Sequence, residues 1–328
     1  MLFFATSYNL LSNTMSASDQ SVTDSSDITA QDIMAIVLDH ADSVNIPTNE
    51  LELRGHRFET QIALLFPRRL SLAPKVAEFA KTIDHTYLTI TPNDPLADID
   101  NVITICREAG QYGFASVCVR PNHVALAHQL LQYWGIHDVA VCTVIDFPET
   151  KGAIAGTKTP DEKSADAAIA QLNGATEFDV VLDYEAILRG DTEQARKGIF
   201  AVCDLVKGND AGAIVKVIME TARLRSMGGS FAITNACYAT VDGGADFGKT
   251  STGFANEGGA TTNDVHCLSK YLHLCGVQVK ASGGIRDLKT AEIMRHAGPD
   301  DHGADRLGLS ASVNIIKEKM EQISTVSH

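Results

Sequence analysis

From Glu78 onward the chain alternates short β-branched runs with longer stretches whose apolar positions recur at helical spacing. The short runs are 79–84, 115–119, 139–145, 178–183, 213–220, 245–249, 276–281 and 304–310. Eight strands with helices between them predict a parallel sheet, and eight is the number that closes an α/β barrel. Gly174-Ala175, Gly244-Ala245-Asp246 and Gly303-Ala304-Asp305 each stand just before a strand, where glycine ends the preceding helix. The segment Asp146–Lys163 is polar and glycine-containing, which predicts a loop at the active-site end.

The N-terminal part reads differently. Residues 1 to about 27 are rich in Ser, Thr and Asp and are expected to be disordered. Helical periodicity returns from about Asp32 to Asp42 and from about Thr48 to Phe66, the second stretch bracketed by Pro47 and Pro67. The expected organisation is a partly disordered, helical extension over 1–75 and a (β/α)8 barrel over 76–328. No Lys or Arg precedes Arg54, while residues 1–50 carry seven acidic side chains. Neither a secretory signal nor a mitochondrial transit peptide has that charge pattern.

Composition narrows the partners. With 45% hydrophobic and 21% charged residues the chain is an ordinary globular sequence. A formal net charge of −14 argues against nucleic acid or an anionic membrane, but not against a small anionic substrate held by local lysines. Seven cysteines without metal-ligand spacing read as reduced thiols in a cytoplasmic protein. No metal or other cofactor is expected. The sequence is compatible with a homo-oligomer and does not fix the number of copies.

Strand ends are where barrel chemistry sits. Reading them gives Asp84, Cys118, Asp146, Asp179, Lys216, Lys249, Lys280 and Ser310. Three lysines on strands five, six and seven are the anomaly, because lysine is almost never fully buried unless paired or used. One such lysine alone is usually a snorkelling or rim residue. Three facing one mouth point to an amine made nucleophilic by like charge, since neighbouring ammonium groups penalise the protonated form. Asp179 beside Lys216 is either its ion-pair partner, a proton shuttle, or both. Cys118 reads as a small hydrophobe.

Six segments then carry a specific resemblance. Lys249-Thr-Ser-Thr-Gly-Phe254, Lys280-Ala-Ser-Gly-Gly-Ile-Arg286, Ile83-Asp-His-Thr86, Val215-Lys-Val-Ile218, Gly258-Gly-Ala-Thr261 and Gly308-Leu-Ser-Ala-Ser312 resemble the signatures of the deoxyribose-phosphate aldolases. They run in unbroken order from about Phe79 to Lys317. The resemblance implies reversible cleavage of 2-deoxy-D-ribose 5-phosphate to D-glyceraldehyde 3-phosphate and acetaldehyde through a Schiff base. It implies Lys249 as the imine-forming residue, Lys280 as the group that lowers its pKa, and Asp179 with Lys216 as proton relay. Asp84 and Thr250 would contact substrate, and His85 would be a supporting or rim residue. Phosphate would rest on backbone N–H groups near Gly253, Gly283, Gly284, Gly308 and Ser310, with Arg286 at the edge. The chain departs from some relatives in having Phe254 for a lysine and Ala311 for a second serine.

Three other readings compete on the residues alone. They are a class I aldolase for another sugar phosphate, a non-catalytic sugar-phosphate-binding barrel, and an isomerase using acid–base chemistry. The isomerase would need a Glu or His base at a strand end, and Glu220 has no evident partner in the sequence.

Overall fold

The computed structural model describes residues 35–37, 40, 67–92 and 94–326. Eight parallel strands close into a barrel in sequence order: β1 Ile83–Tyr87, β2 Ser116–Val119, β3 Ala140–Ile145, β4 Glu177–Val181, β5 Ile214–Ile218, β6 Phe247–Lys249, β7 Gln278–Ser282 and β8 Arg306–Leu309. Every neighbouring pair is parallel, and β1 closes on β8 through Ile83, Asp84 and His85. The expected (β/α)8 architecture is therefore the observed one.

The first predicted strand begins too early. Phe79 and Ala80 close a helix, Pro74–Ala80, whose buried residues Val76, Phe79 and Ala80 follow a helical i, i+3, i+4 spacing. Pro74 starts that helix, where its missing N–H costs nothing. The strand starts at Ile83, four residues after the predicted start at Phe79. The loop after β3 also ends earlier than expected, because Thr159 and Glu162 form a capping box that starts a helix at Pro160.

The main core lies between the barrel wall and its helices, built from residues such as Ile99, Phe114, Leu126, Phe178, Ile199, Leu268 and Ile315. Near the N-terminus, residues 35–37 and 40 are helical, and Val37 joins this core. His40 Nε2 lies 3.1 Å from His123 Nδ1. The second predicted helical stretch of the extension, about Thr48–Phe66, lies outside the described residues. Among the described residues, no helix is long and apolar enough to cross a membrane.

Candidate active site

The barrel interior departs from the usual filling of branched apolar side chains. Inward positions on β1, β4, β5, β6, β7 and β8 carry Asp84, Glu177, Asp179, Lys216, Lys249, Lys280 and Arg306. Strand register brings them together: Asp179 stands opposite Lys216, Lys249 opposite Lys280, and Lys280 opposite Arg306. Asp84, Asp179, Lys216 and Lys280 lie within their strands, one layer below the mouth, and not at the strand ends where they were expected. Lys249 alone of the three lysines ends its strand.

Charge pairing in this layer is dense. Asp179 Oδ2 accepts hydrogen bonds from Lys249 Nζ and Lys280 Nζ, each at 2.7 Å, while its Oδ1 accepts from Lys216 Nζ at 3.1 Å. Lys216 also donates to Glu177 Oε2 at 2.6 Å and lies 3.5 Å from Asp84 Oδ2. Lys280 reaches Asp84 Oδ2 at 2.5 Å. Arg306 bridges Asp84 and Glu177. Four cations thus meet three carboxylates, so one proton can leave without stranding an unpaired charge in a dry interior.

How firmly each charge is held follows from its partners. Burial opposes the charge on Lys216 and Lys280, but Asp179 and Asp84 outweigh it and hold both ammonium groups above the ordinary lysine range. Burial likewise opposes ionisation of Asp179 and Asp84, and the surrounding cations overcome it, so both carboxyls sit below their usual range. Lys249 has one carboxylate partner where Lys280 has two and Lys216 three. It is also the lysine that touches the cleft: 3% exposed, against 0% for the other two.

That cleft opens at the C-terminal mouth. Lys249, Gly253, Gly283, Gly284, Gly308 and Ser310 line it, as do Phe254 and Arg286. The loops after β6 and β7 meet backbone to backbone. A Cβ on Gly283 would lie 3.0 Å from Gly259 Cα and 3.3 Å from Gly253 Cα, and Gly283 has φ +89°. Only glycine allows this approach of the two loops at the cleft wall.

Three placements differ from those expected. Asp84 is fully buried and accepts from Ser116 Oγ at 2.8 Å as well as from the cations, so it acts as a counter-ion beneath the cleft. Thr250 is also fully buried; its hydroxyl donates to Ser282 O and accepts from Ser282 N, both at 3.0 Å, and clamps β6 to β7. His85 faces outward and pairs with Glu108 at 2.8 Å, away from the mouth.

Other members were not anticipated. Arg306 and Glu177 belong to the charged layer, and two-residue alternation along β4 with Asp179 was the available signal for Glu177. Glu220 is buried, has φ +53°, and accepts from Thr252 Oγ1 at 2.6 Å. Burial raises its pKa against those hydrogen bonds. The fold also gathers His273, His302 and Asp305, whose ligand atoms lie within 4.8 Å of one another, a cluster that sequence spacing does not reveal.

Residues 79–317 match the model of the DeoC/LacD family aldolases. The chain is 42% identical over 240 residues to a deoxyribose-phosphate aldolase of Geobacillus sp. (strain WCH70), covering 73% of this chain and 95% of that one. It is 43% identical over 237 residues to the deoxyribose-phosphate aldolase of Bacillus mycoides, covering 72% and 94%. Among solved structures, a putative deoxyribose-phosphate aldolase from Coccidioides immitis superposes with a TM-score of 0.62 at 36% identity, over 78% of this chain and 89% of that one. A deoxyribose phosphate aldolase from Aeropyrum pernix, described as having a unique tetrameric structure, gives 0.62 at 28% identity, over 78% and 95%. The lysine-lined barrel is therefore that of an aldolase, and the chain belongs to the DeoC/LacD aldolase family.

Proposed function

We propose that this enzyme reversibly cleaves 2-deoxy-D-ribose 5-phosphate to D-glyceraldehyde 3-phosphate and acetaldehyde, with Lys249 as the Schiff-base residue. The observation that carries the assignment is the partner count: Lys249 is the least tethered lysine of the layer and the one at the cleft. Its neutral amine attacks the C1 aldehyde of the open-chain sugar, and loss of water gives a protonated imine. As the C3 hydroxyl loses its proton, the C2–C3 bond breaks and its electron pair flows into the imine. Glyceraldehyde 3-phosphate leaves, and an enamine remains on Lys249. Protonation at the enamine carbon and hydrolysis release acetaldehyde and regenerate the amine. Asp179, touching all three lysines, takes and returns protons directly or through a water, with Lys216 as its ion-pair and relay partner.

The substrate phosphate rests on the N–H groups around Gly253, Gly283, Gly284, Gly308 and Ser310, with Arg286 at the rim. This differs from a site built on a lysine at position 254, where Phe254 stands.

Two further parts of the reading are coarser. A homo-oligomer is favoured because Phe231 and Tyr238, seven residues apart on the helix Thr221–Asp242, are 74% and 57% exposed. A cytoplasmic location fits seven free cysteines.

Borohydride reduction in the presence of acetaldehyde, followed by peptide mass spectrometry, tests the assignment. The label is expected on the peptide containing Lys249. A label on Lys216 or Lys280 overturns it.

A further inference from the structure

Two thiols stand side by side in the barrel, next to the carboxylate that joins the lysines. Cys118 on β2 and Cys142 on β3 are direct register partners. Neighbouring strands are about 4.8 Å apart, inside the roughly 4.4–6.8 Å between Cα atoms that a disulfide spans. Both side chains turn inward: the two sulfurs and an Asp179 oxygen all lie within 4.8 Å of one another. Cys142 Sγ donates to Asp179 Oδ1 at 3.2 Å and accepts from Lys216 Nζ at 3.3 Å.

The two thiols are chemically unequal. The Cys142 thiol beside it lowers the pKa of Cys118 against the effect of burial, with Lys280 and Lys249 adding to the drop. Burial drives Cys142 the other way. Cys106, Cys203 and Cys237, buried elsewhere, are pushed up by desolvation and are inert. Cys118 shares an apolar cluster with Leu88 and Phe254, and both of these line the cleft. Cys118 is itself fully buried in that cluster, so a small oxidant would reach it from the cleft past those side chains.

We propose that Cys118 and Cys142 form a modification site, where a peroxide converts the thiol pair to a disulfide and reversibly switches the lysine centre off. The Cys118 thiolate attacks the peroxide O–O bond, becomes a sulfenic acid and releases hydroxide. Cys142 sulfur then attacks the sulfenic sulfur, and the displaced hydroxide leaves with the thiol proton as water. The two thiols lose two electrons, and the peroxide is reduced to water. Closure takes the S–H donor from Asp179 Oδ1 and draws the sulfur from Lys216, so the carboxylate that positions Lys249 loses one of its supports.

The loss of turnover rests on the Lys249 reading; formation of the disulfide does not. The full-length protein is treated with hydrogen peroxide, alkylated, digested and analysed by mass spectrometry. Cleavage activity is followed in parallel before and after dithiothreitol. The expected result is a linked pair of peptides containing Cys118 and Cys142, an activity loss of about tenfold or more, and recovery on reduction. Cys142→Ala and Cys142→Ser, each compared with its own untreated rate, should keep their activity under the same dose. Absence of the linked peptides, or equal inactivation of the Cys142 variants, overturns the proposal. A linked pair without loss of turnover overturns the switch. Failure of the Lys249 reading shows separately, as a borohydride label elsewhere in untreated protein.

Discussion

Lys249 and Lys280 face each other across β6 and β7 and place their ammonium nitrogens 2.7 Å from one and the same oxygen, Oδ2 of Asp179. One carboxylate oxygen cannot neutralise two full positive charges. Lys280 also holds Asp84, whereas Lys249 has no second carboxylate among its ion pairs in the described residues.

Lys280→Met tests this division of labour. The pKa of Lys280 is raised, so its charge is present through neutral pH and is lost only at alkaline pH, above the ordinary lysine value. Removing it leaves Asp179 to Lys249 and Lys216, and the ammonium form of Lys249 faces one like charge fewer. The alkaline rise of the rate–pH profile should move up by at least about one unit, with about a tenfold loss at neutral pH for each unit. A slow variant with an unmoved inflection would assign Lys280 to positioning or proton transfer.

Lys249→Arg and Lys216→Met should fail differently. Arginine keeps the charge beside Asp179 yet cannot become a neutral nucleophile, so turnover should fall to near background with the fold retained. Lys216→Met strands Glu177, Asp179 and Asp84 without their central cation and should cost about 3–5 kcal/mol of stability. Denaturant unfolding read beside activity separates the two; equal stability losses would remove the distinction drawn between them.

Position 254 bears on phosphate recognition. Phe254 packs edge-on against Phe147, ring centroids 5.1 Å apart, with Arg120 5.5 Å from its ring. With loop amides carrying the phosphate, unphosphorylated 2-deoxyribose should be turned over, although slowly. Phe254→Lys should raise the preference for the phosphorylated sugar by about tenfold, the worth of one added charge-assisted contact of about 1.4 kcal/mol. An unchanged ratio of kcat/KM values would take position 254 out of the phosphate site.

The N-terminal segment should be releasable by acid. Burial and the neighbouring His123 lower His40 from 6.5 to about 4. A lowered folded pKa means that this stabilisation is complete above pH 6.5 and is lost as pH falls through about 4. Amide exchange at residues 35–37 should therefore accelerate across that window, and His40→Gln should flatten the dependence. Exchange independent of pH in the wild type, once the intrinsic rate is corrected, would refute the coupling.

A chain truncated to begin at Ser71 should keep its kcat within about twofold, since among the described residues every one that lines the cleft lies beyond position 85. It should melt a few degrees lower, because Val37 leaves the core. A folded truncation without activity would show that the extension reaches the site.

The sequence by itself determined the barrel and the identity of its lysines. Two periods, short β-branched runs and longer helical ones, are local properties of the chain, and eight repeats of them leave few ways to bury both kinds of face. Lys216, Lys249 and Lys280 were legible because a lysine inside an apolar strand breaks the local pattern. Errors arose where a signal was ambiguous over a few residues, as at Phe79–Ala80, which suits a helix end as well as a strand start.

What only the tertiary structure decided is which charge meets which. Asp84, Glu177, Asp179 and Arg306 come from three separate strands and reach one another through barrel closure and register, which no spacing along the chain encodes. The same holds for Cys118 beside Cys142, and for Thr250, whose hydroxyl is spent on Ser282. Partner number and burial, the quantities that single out Lys249 from its two neighbours, exist only once the barrel has closed, because each depends on distances between strands and not on position within one.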